Sequence, residues 1–440
     1  MSETYQKALV LQQFLCDKSP QCGECGNEAA DDQRERSFLG LHQSESRSLR
    51  KLARGAVMRN KLLVFSALLI LAVCVGGLPA QKTAAYFPPP GEWQSKPPAA
   101  LGLDAAKLKE AVDYAQAHGS TWDFDKDQVR TFGITLGKLP PQRAATNGII
   151  VRHGYIAAEF GDVKAVDPVY SVAKSFLSTV ASLAFAQGLI RNVNDPVAAY
   201  VHDGGYDSPH NAKITWKNHL QQQSEWEGTL WGKNANFIGH DEFGAGEMKP
   251  RAIQDPGTYW EYNDVRINRL SLSLLRVFGK PLPEILKEDI MDPIGASESW
   301  HWMGYGPKSS VDIDGREVES VSGGTRWGGG LWINSEDLAR FGLLILDHGR
   351  WGNKQVVSAQ WLKDAVVPSE HGPDYGYLWW LNTKQKEWPS GPASSFAAIG
   401  NGSNTIWIDP DHDIVFVWHW YQGKAMDGMV QRIVASVTGS

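Results

Sequence analysis

The feature that most constrains this chain is an apolar segment that opens at Tyr170 and is followed by Gly188. Its hydrophobic residues recur at three- and four-residue spacing over more than ten positions, a pattern that favours a helix over a strand. Gly188 is the stop signal expected at a helix C-terminus. We therefore predict a strongly apolar helix that ends at Gln187 and carries Ser171 at its N-terminus.

Ser171 and Lys174 stand one helical turn apart at the start of this helix, so their side chains can approach each other. The free N–H groups and the positive end of the helix dipole favour a developing negative charge there. An amine desolvated by so apolar a helix loses its proton more readily than an amine in water and can activate a serine. The same tetrad occurs in a polar run at Ser48 to Lys51, so the spacing alone is weak support.

The chain divides near residue 80, because all four cysteines precede residue 81 and all eighteen tryptophans follow it. Residues 1–57 form a polar leader that we do not expect to belong to the natural protein. Its cysteines, which include Cys22 and Cys25, lack the fourth ligand or the histidine pair of a zinc site. Residues 81–103 form a Pro-rich linker, and residues 104–440 form the main domain.

Residues 58–80 combine a short basic start at Met58, an apolar run from Leu62 to Val75 and an exit of small residues. This is the pattern of a secretory signal peptide, with Met58 as the expected natural start and export to the periplasm or the medium as the consequence. The alternative is a start at Met1 with a signal anchor in the inner membrane, held by upstream arginines and lysines. N-terminal sequencing separates the two, since a chain beginning near Gln81 excludes the anchor.

The 440 residues carry a net charge of −6 and no long basic block, which argues against nucleic acid as a partner. We expect contact with a membrane only through the N-terminal apolar segment, if it is not cleaved. The histidines show no metal-ligand spacing, so no metal is expected.

Strand patterns lie at both ends of the main domain, and its middle, about residues 190–324, is rich in loops and short helices. One hairpin is predicted over residues 148–160 and a second over residues 405–418, and helices are predicted near residues 104–118, 335–348, 358–366 and 426–437. These signals predict an α+β fold with one antiparallel sheet built from both chain ends, flanked by helices and covered on one side by a mostly helical insertion. A cleft between the two parts is the natural place for a site.

Two further motifs fall where they could reach Ser171. A Pro-Gly turn at residues 256–257 precedes Tyr262 at a helix entrance, where a phenol near a lysine can relay a proton. Gly400 and Gly402 flank Asn401 beside a strand, where backbone can approach a ligand closely. The N–H groups of Asn401 and Ser171 could then form an oxyanion hole. Taken alone, the tyrosine motif is better explained by packing at a helix start, and the glycine motif is equally well explained by a hairpin connection.

Taken in order, the three motifs resemble those of the serine β-lactamase-related hydrolases, a family of class C β-lactamases, DD-peptidases, esterases and 6-aminohexanoate-dimer hydrolases. The resemblance extends from about Asp104 to the C-terminus and implies a β-lactamase/transpeptidase-like fold. It also implies an acyl-enzyme mechanism in which Ser171 attacks a carbonyl and Lys174 and Tyr262 share the proton transfers. The N–H groups of Ser171 and Asn401 would hold the oxyanion, Asp264, Gly400 and Gly402 would contact the substrate, and no cofactor would be needed.

Two departures from the family motifs separate this chain from β-lactamases. Asp264 stands where the second motif ends in Asn, and a carboxylate near Lys174 would favour its ammonium form and leave more of the base role to Tyr262. The family's Lys-Thr-Gly triplet is replaced in this chain by Ala398, Ile399 and Gly400, so this motif supplies no cation to bind a substrate carboxylate. We therefore expect a small ester or amide as substrate. A β-lactamase or D-alanyl-D-alanine carboxypeptidase is the alternative.

A non-catalytic, membrane-tethered binding protein with the same fold is a second alternative, which Asp264 and Ala398 favour. Several tryptophans fall in segments that could border the cleft and line an acyl pocket, although core packing accounts for most aromatic residues. The tryptophans that could border the cleft are Trp226, Trp231, Trp260, Trp327, Trp379 and Trp380.

Overall fold

A computed structural model of the chain describes residues 86–128, 135–237, 251–324 and 326–439. The predicted leader and the signal peptide or anchor, residues 1–80, lie outside the described residues. In the part of the chain that is described, no helix has both the length and the apolar character needed to cross a bilayer.

The helices and strands of the described residues are as follows. The α-helices are α1 (Ala105–Ala117), α2 (Ala173–Ala186), α3 (Trp216–Leu220), α4 (Asp264–Phe278), α5 (Leu282–Leu286), α6 (Ser335–Leu346), α7 (Ala359–Ala365) and α8 (Met426–Ser436). The longer strands are β1 (Asn147–Arg152), β2 (Tyr155–Phe160), β7 (Ser310–Ile313), β8 (Arg316–Glu319), β9 (Gly330–Ile333), β13 (Phe396–Gly400), β14 (Asn404–Asp409) and β15 (Ile414–His419). The short strands are β3 (Asp167–Pro168), β4 (Thr229–Leu230), β5 (Lys233–Asn234), β6 (His301–Met303), β10 (Arg350–Trp351), β11 (Lys354–Gln355) and β12 (Trp380–Leu381).

The main sheet joins the two ends of the domain, as the sequence predicts. Within the described residues it has six strands in the order β12-β13-β14-β15-β1-β2, and every neighbouring pair is antiparallel. The N-terminal hairpin β1-β2 pairs with the C-terminal strand β15, with Ile149 opposite Val417. The predicted α+β class and the sheet built from both ends are therefore confirmed.

Helices cover both faces of this sheet. Successive side chains of strand β15 therefore belong alternately to two apolar cores, one on each face. Phe416 and Trp418 pack with helices α1 and α8 on one face. Val415 and Val417 belong to the core on the other face, which contains helices α2 and α6. Helix α6 approaches the sheet closely at Gly342, where a Cβ atom would lie 2.5 Å from Val415 Cγ1.

One of the longer strands lies outside the main sheet. The strand β9 pairs with β3 and β6 in a separate three-stranded sheet instead of extending the main sheet. Its apolar pattern fits any buried strand equally well, and the choice of partner depends on residues far away in the sequence. Because β3 immediately precedes the turn that carries Ser171, this small sheet fixes the approach of the chain to that turn.

Two histidines are buried in the protein without exposure to solvent, and burial lowers the pKa of each to about 3. His419 lies in β15 opposite Asn147 and Asn404, and within the described residues neither of its ring nitrogens has a hydrogen-bond partner. His219 also feels the positive charges of Arg269 and Arg266. Both imidazoles are therefore neutral in the folded protein at neutral pH.

We predict that the free energy of unfolding falls as the pH drops from about 6.5 towards 3. In this range the unfolded chain binds a proton at His219 and at His419, whereas in the folded protein both buried imidazoles stay neutral. The slope per histidine reaches about 1.4 kcal/mol per pH unit. Urea unfolding between pH 7 and pH 4 should show a flatter profile for His419→Gln than for the wild type. Exposed His202→Gln is the control, and equal slopes for all three proteins would contradict the prediction.

Candidate active site

Ser171 lies in a tight turn just before the apolar helix. A 3₁₀ turn spans Tyr170–Val172, and the α-helix α2 begins at Ala173. Tyr170 has a left-handed backbone with φ of 50°, a conformation that costs energy for a residue with a side chain. Its ring is buried, and its hydroxyl donates a hydrogen bond of 2.8 Å to Gln128 Oε1. The predicted helix is confirmed, but it starts two residues after Ser171.

The side chain of Lys174 connects two separate parts of the chain. Its Nζ donates a hydrogen bond of 2.8 Å to Ser171 Oγ and lies 2.5 Å from Asp264 Oδ1. The lysine side chain is 1% exposed and that of Asp264 is 7% exposed, so both charges are removed from water. Asp264 is the first residue of α4, and the side chain of the preceding Asn263 caps that helix by accepting from the N–H of Arg266. The sequence expectation that a carboxylate would lie near Lys174 is confirmed.

Tyr262 completes this group from the side, because its ring face lies over the lysine. Lys174 Nζ is 4.6 Å from the centre of the Tyr262 ring, within the range of a cation–π interaction. The rings of Trp380 and Tyr375 lie 5.6 and 6.0 Å from that of Tyr262, and Trp260 packs on both. These four rings form an aromatic wall beside Ser171.

Tyr375 is a member of the wall that sequence reasoning missed. Burial raises the pKa of its hydroxyl well above the usual value, and the neighbouring Tyr262 adds to the effect, whereas Lys174 opposes it. The hydroxyl is therefore neutral and can only donate or accept hydrogen bonds. Tyr375 sits in a loop without a recognisable motif, so no local pattern in the sequence marks it.

A buried ionic network holds the segment that carries Tyr262. Glu225 and Glu261 pair with Arg251 and Arg266, and the contact from Arg266 Nη1 to Glu261 Oε2 is 2.9 Å. Burial acts to raise the pKa of Glu225, but the two arginines overcome this effect and hold the pKa below its usual value. Because removal of one partner would leave a buried charge uncompensated, this network fixes the position of residues 261–266 firmly.

Gly400, at the end of β13, lies against the turn that carries Ser171. A Cβ atom on Gly400 would be 2.0 Å from the carbonyl oxygen of Val169 and 3.0 Å from the backbone nitrogen of Ser171. Only glycine allows this approach. The next residue is Asn401. The two N–H groups predicted to form an oxyanion hole, those of Ser171 and Asn401, therefore belong to two backbone segments that meet at Gly400.

Gly402 and Gly324 serve different purposes in this region. Gly402 has φ of 71°, and a Cβ atom there would lie 2.4 Å from the ring of Trp420, so the lack of a side chain makes room for a buried indole. Gly324 was missed by sequence reasoning. A Cβ atom on it would lie 3.3 Å from Lys174 Nζ and 3.5 Å from Ser171 Oγ, so its backbone forms another side of the site.

Trp420 is a further residue that the sequence did not mark. Its indole N–H donates a hydrogen bond of 2.7 Å to Asp167 Oδ2, and its ring meets that of Tyr170 edge to face at 6.2 Å. It thus contacts both Tyr170, which precedes Ser171, and Gly402, which follows Asn401. Burial raises the pKa of Asp167, although the hydrogen bond from Trp420 acts against this.

The tryptophans that were predicted to border the cleft lie in three different surroundings in the structure. Trp260 and Trp380 belong to the aromatic wall, whereas Trp231 and Trp327 pack against Tyr305. Trp226 and Trp379 are buried in the core. Among the described residues, no group of three His, Cys, Asp or Glu side chains is arranged to hold a metal ion.

Comparison with known proteins matches the sequence over residues 162–434 to the family model described as Beta-lactamase. No curated protein matches the chain significantly. Several solved structures are similar. A protein described as a 6-aminohexanoate-dimer hydrolase from Bacillus anthracis is 16% identical with a TM-score of 0.51, and the alignment covers 81% of this chain and 90% of that one.

Two other similar structures come from proteins with hydrolase names. A hydrolase with promiscuous acyltransferase activity is 14% identical with a TM-score of 0.51, and the alignment covers 76% of this chain and 99% of that one. A D-stereospecific amidohydrolase from Streptomyces sp. is 16% identical with a TM-score of 0.50, with coverage of 77% and 99%. At these identities the likeness shows a shared fold.

The close approach of Gly400 to Ser171 predicts that Gly400→Ala displaces the backbone N–H of Ser171. We expect labelling of Ser171 by a fluorophosphonate to slow by about 100-fold, the scale of losing one oxyanion donor. The measurement is the labelling rate of folded protein, checked by circular dichroism. Gly423→Ala is the matched control, because a Cβ atom there would meet only the Ser403 hydroxyl at 3.2 Å. Equal labelling rates for the two variants would contradict the prediction.

Proposed function

This chain belongs to the beta-lactamase family, and we propose that it is a serine hydrolase that cleaves a small ester or amide through a covalent acyl-serine intermediate. The observation that carries the proposal is the contact of half-buried Ser171 with buried Lys174 and Asp264, with Oγ to Nζ at 2.8 Å and Nζ to Oδ1 at 2.5 Å. A serine hydroxyl held by a buried amine is the arrangement of an activated nucleophile.

In the proposed reaction, Ser171 Oγ attacks the substrate carbonyl and its proton passes to the Lys174 and Tyr262 pair. The bond to the leaving alcohol or amine then breaks, and the leaving group takes that proton. Water attacks the acyl-serine in the same way and releases the acid, which restores the Ser171 hydroxyl. The N–H groups of Ser171 and Asn401 stabilise the oxyanion in both steps.

Asp264 decides how the proton transfers are shared. Its carboxylate accepts from Lys174 Nζ at 2.5 Å, and an amine that already donates to that carboxylate and to Ser171 is poorly placed to accept the serine proton. The ring of Tyr262 covers the same amine at 4.6 Å, so we assign the larger part of the base role to its hydroxyl, which accepts the proton as a phenolate. Asp264 itself faces Lys174, and we assign it to positioning that amine rather than to contact with the substrate.

The surroundings of Ser171 favour an uncharged acyl group. Ala398 is buried and stands where a cation would bind a β-lactam or peptide carboxylate. The aromatic wall of Trp260, Tyr262, Tyr375 and Trp380 offers an apolar surface instead. An esterase or amidase is therefore favoured over a β-lactamase or a D-alanyl-D-alanine carboxypeptidase. The hydrolase and amidohydrolase names of two similar structures agree with this proposal.

We further propose that the protein acts after export, in the periplasm or outside the cell, on a small molecule and without nucleic acid or a cofactor. An anchor in the inner membrane is the alternative place of action. This proposal is supported by the signal-like pattern of residues 58–80, and N-terminal sequencing tests it.

A substrate panel tests the proposed function. We expect p-nitrophenyl butyrate to be hydrolysed with the highest kcat/KM, a linear amide dimer more slowly and nitrocefin least, because Ala398 stands at the motif position where a lysine would hold the nitrocefin carboxylate. Nitrocefin as the best substrate would favour the β-lactamase alternative. Failure of all three substrates, together with absence of fluorophosphonate labelling, would leave the non-catalytic binding protein.

The assignment of the nucleophile predicts that Ser171→Ala lowers ester turnover by at least about 1,000-fold. Ser175→Ala is the matched control, because Ser175 lies on the same helix but its hydroxyl donates to the Leu378 carbonyl at 2.7 Å. We expect this variant to lose about 1–3 kcal/mol of stability and to keep most of its activity. The opposite result would discard Ser171 as the nucleophile.

The ion pair between Lys174 and Asp264 predicts the direction of a pH shift. In Asp264→Asn the negative charge that favours the ammonium is lost, so Lys174 becomes a base more readily. The rising limb of the pH profile of kcat/KM should therefore move to lower pH. Asp255→Asn is the control, since Asp255 pairs with Lys213 where both side chains are largely exposed. If the rising limb of the Asp264→Asn profile does not move, or moves to higher pH, Asp264 does not control the reacting base.

A further inference from the structure

An apolar cavity of about 510 Å³ lies apart from the catalytic group, and neither Ser171, Lys174 nor Tyr262 lines it. Helices α6 and α7 and strands β12 and β13 form its walls. Its apolar lining includes Ile345, Leu346, Leu362, Val366, Trp379 and Phe396. The volume falls within the range of about 300–1,000 Å³ that is typical of sites for small organic ligands.

The lining of this cavity is asymmetric in charge. Lys363 and His348 line it and are exposed, together with hydroxyl groups that include those of Thr383 and Ser394. Among the described residues that line the cavity, none is an aspartate or a glutamate. Among the ion pairs of the described residues, none involves Lys363 or His348. The cavity therefore combines an apolar interior with a rim of cationic and neutral hydrogen-bond donors.

We propose that this cavity is a second ligand site, which binds a medium-chain aliphatic monocarboxylate. The alkyl chain occupies the apolar interior, where burial of each CH₂ group contributes about 0.8 kcal/mol. The carboxylate lies at the rim, where Lys363 and His348 can donate hydrogen bonds to it. This inference does not depend on the proposed hydrolysis, because it rests on residues that take no part in that chemistry.

The cavity and the catalytic group share one segment of chain, so an experiment must distinguish them. Trp379 lines the cavity, whereas the next residue, Trp380, stacks with Tyr262. Trp379 also lies parallel to Phe341, which stacks on Phe176 of α2 at 3.8 Å. A carboxylate could also bind beside Ser171 as a reaction product would. One variant in the cavity and one beside the catalytic group therefore show which of the two sites binds the carboxylate.

The test is isothermal titration of the full chain with dodecanoate below its micelle concentration. We expect saturable binding of one dodecanoate, with a negative heat-capacity change from burial of the alkyl chain. Leu362→Trp fills the cavity and should weaken binding by at least about tenfold. Val367→Trp is the matched control, because Val367 is 51% exposed on a neighbouring turn and does not line the cavity. It should bind dodecanoate as the wild type does.

Two further variants test the orientation and the location of the ligand. Lys363→Glu is a surface change that should leave folding intact, weaken dodecanoate by about fivefold and leave dodecanol binding unchanged. Trp260→Ala, on the catalytic side, should leave dodecanoate affinity unchanged. Loss of binding in Trp260→Ala with binding retained in Leu362→Trp would place the ligand beside Ser171 and overturn the proposal. Equal affinity of the wild type and Lys363→Glu for dodecanoate would overturn the assignment of the carboxylate.

Discussion

The arrangement of the whole site depends on one buried ammonium group. Lys174 is removed from water, and a buried charge persists only when it is paired and hydrogen-bonded. Ser171 and Asp264 meet this requirement from opposite sides, at 2.8 and 2.5 Å. Because Asp264 begins helix α4 in the helical insertion, the pairing joins that insertion to the helix beside the main sheet. The contact between Lys174 and Asp264 thus also holds the two parts of the domain together.

The backbone around Ser171 is shaped by packing on both sides of it. Tyr170, just before Ser171, adopts a left-handed conformation, and Gly400 approaches the turn so closely that no side chain fits there. Trp420 contacts both regions, since its ring meets Tyr170 and fills the space that Gly402 leaves. Strain at Tyr170 is maintained because the surrounding core fixes both its ring and its hydroxyl. The N–H group of Ser171 is therefore placed by tertiary contacts and not by the helix alone.

Asp264 and the aromatic wall set the surroundings of Lys174. The carboxylate of Asp264 lies 2.5 Å from the lysine Nζ, and the centre of the Tyr262 ring lies 4.6 Å from it. The proposed preference for uncharged acyl groups rests on this paired amine and on the apolar wall. The preference for a carboxylate proposed for the cavity between α6, α7 and the edge of the sheet rests on a different lining, since the described residues at its rim are cationic and neutral donors.

Sequence alone determined the features that arise from local pattern. The apolar repeat predicted helix α2, the alternation of side chains predicted the hairpins of β1-β2 and β14-β15, and the spacing of Ser171 and Lys174 placed them side by side. Similarity of ordered motifs brought Asp264 and Tyr262 to the same site. Only the tertiary structure decided that β9 lies outside the main sheet and that α2 begins after Ser171. It also decided that Gly324 lies beside Ser171, Tyr375 beside Tyr262 and Trp420 beside Tyr170. These features depend on contacts between residues distant in the chain, and such contacts leave no periodic signal in a single sequence.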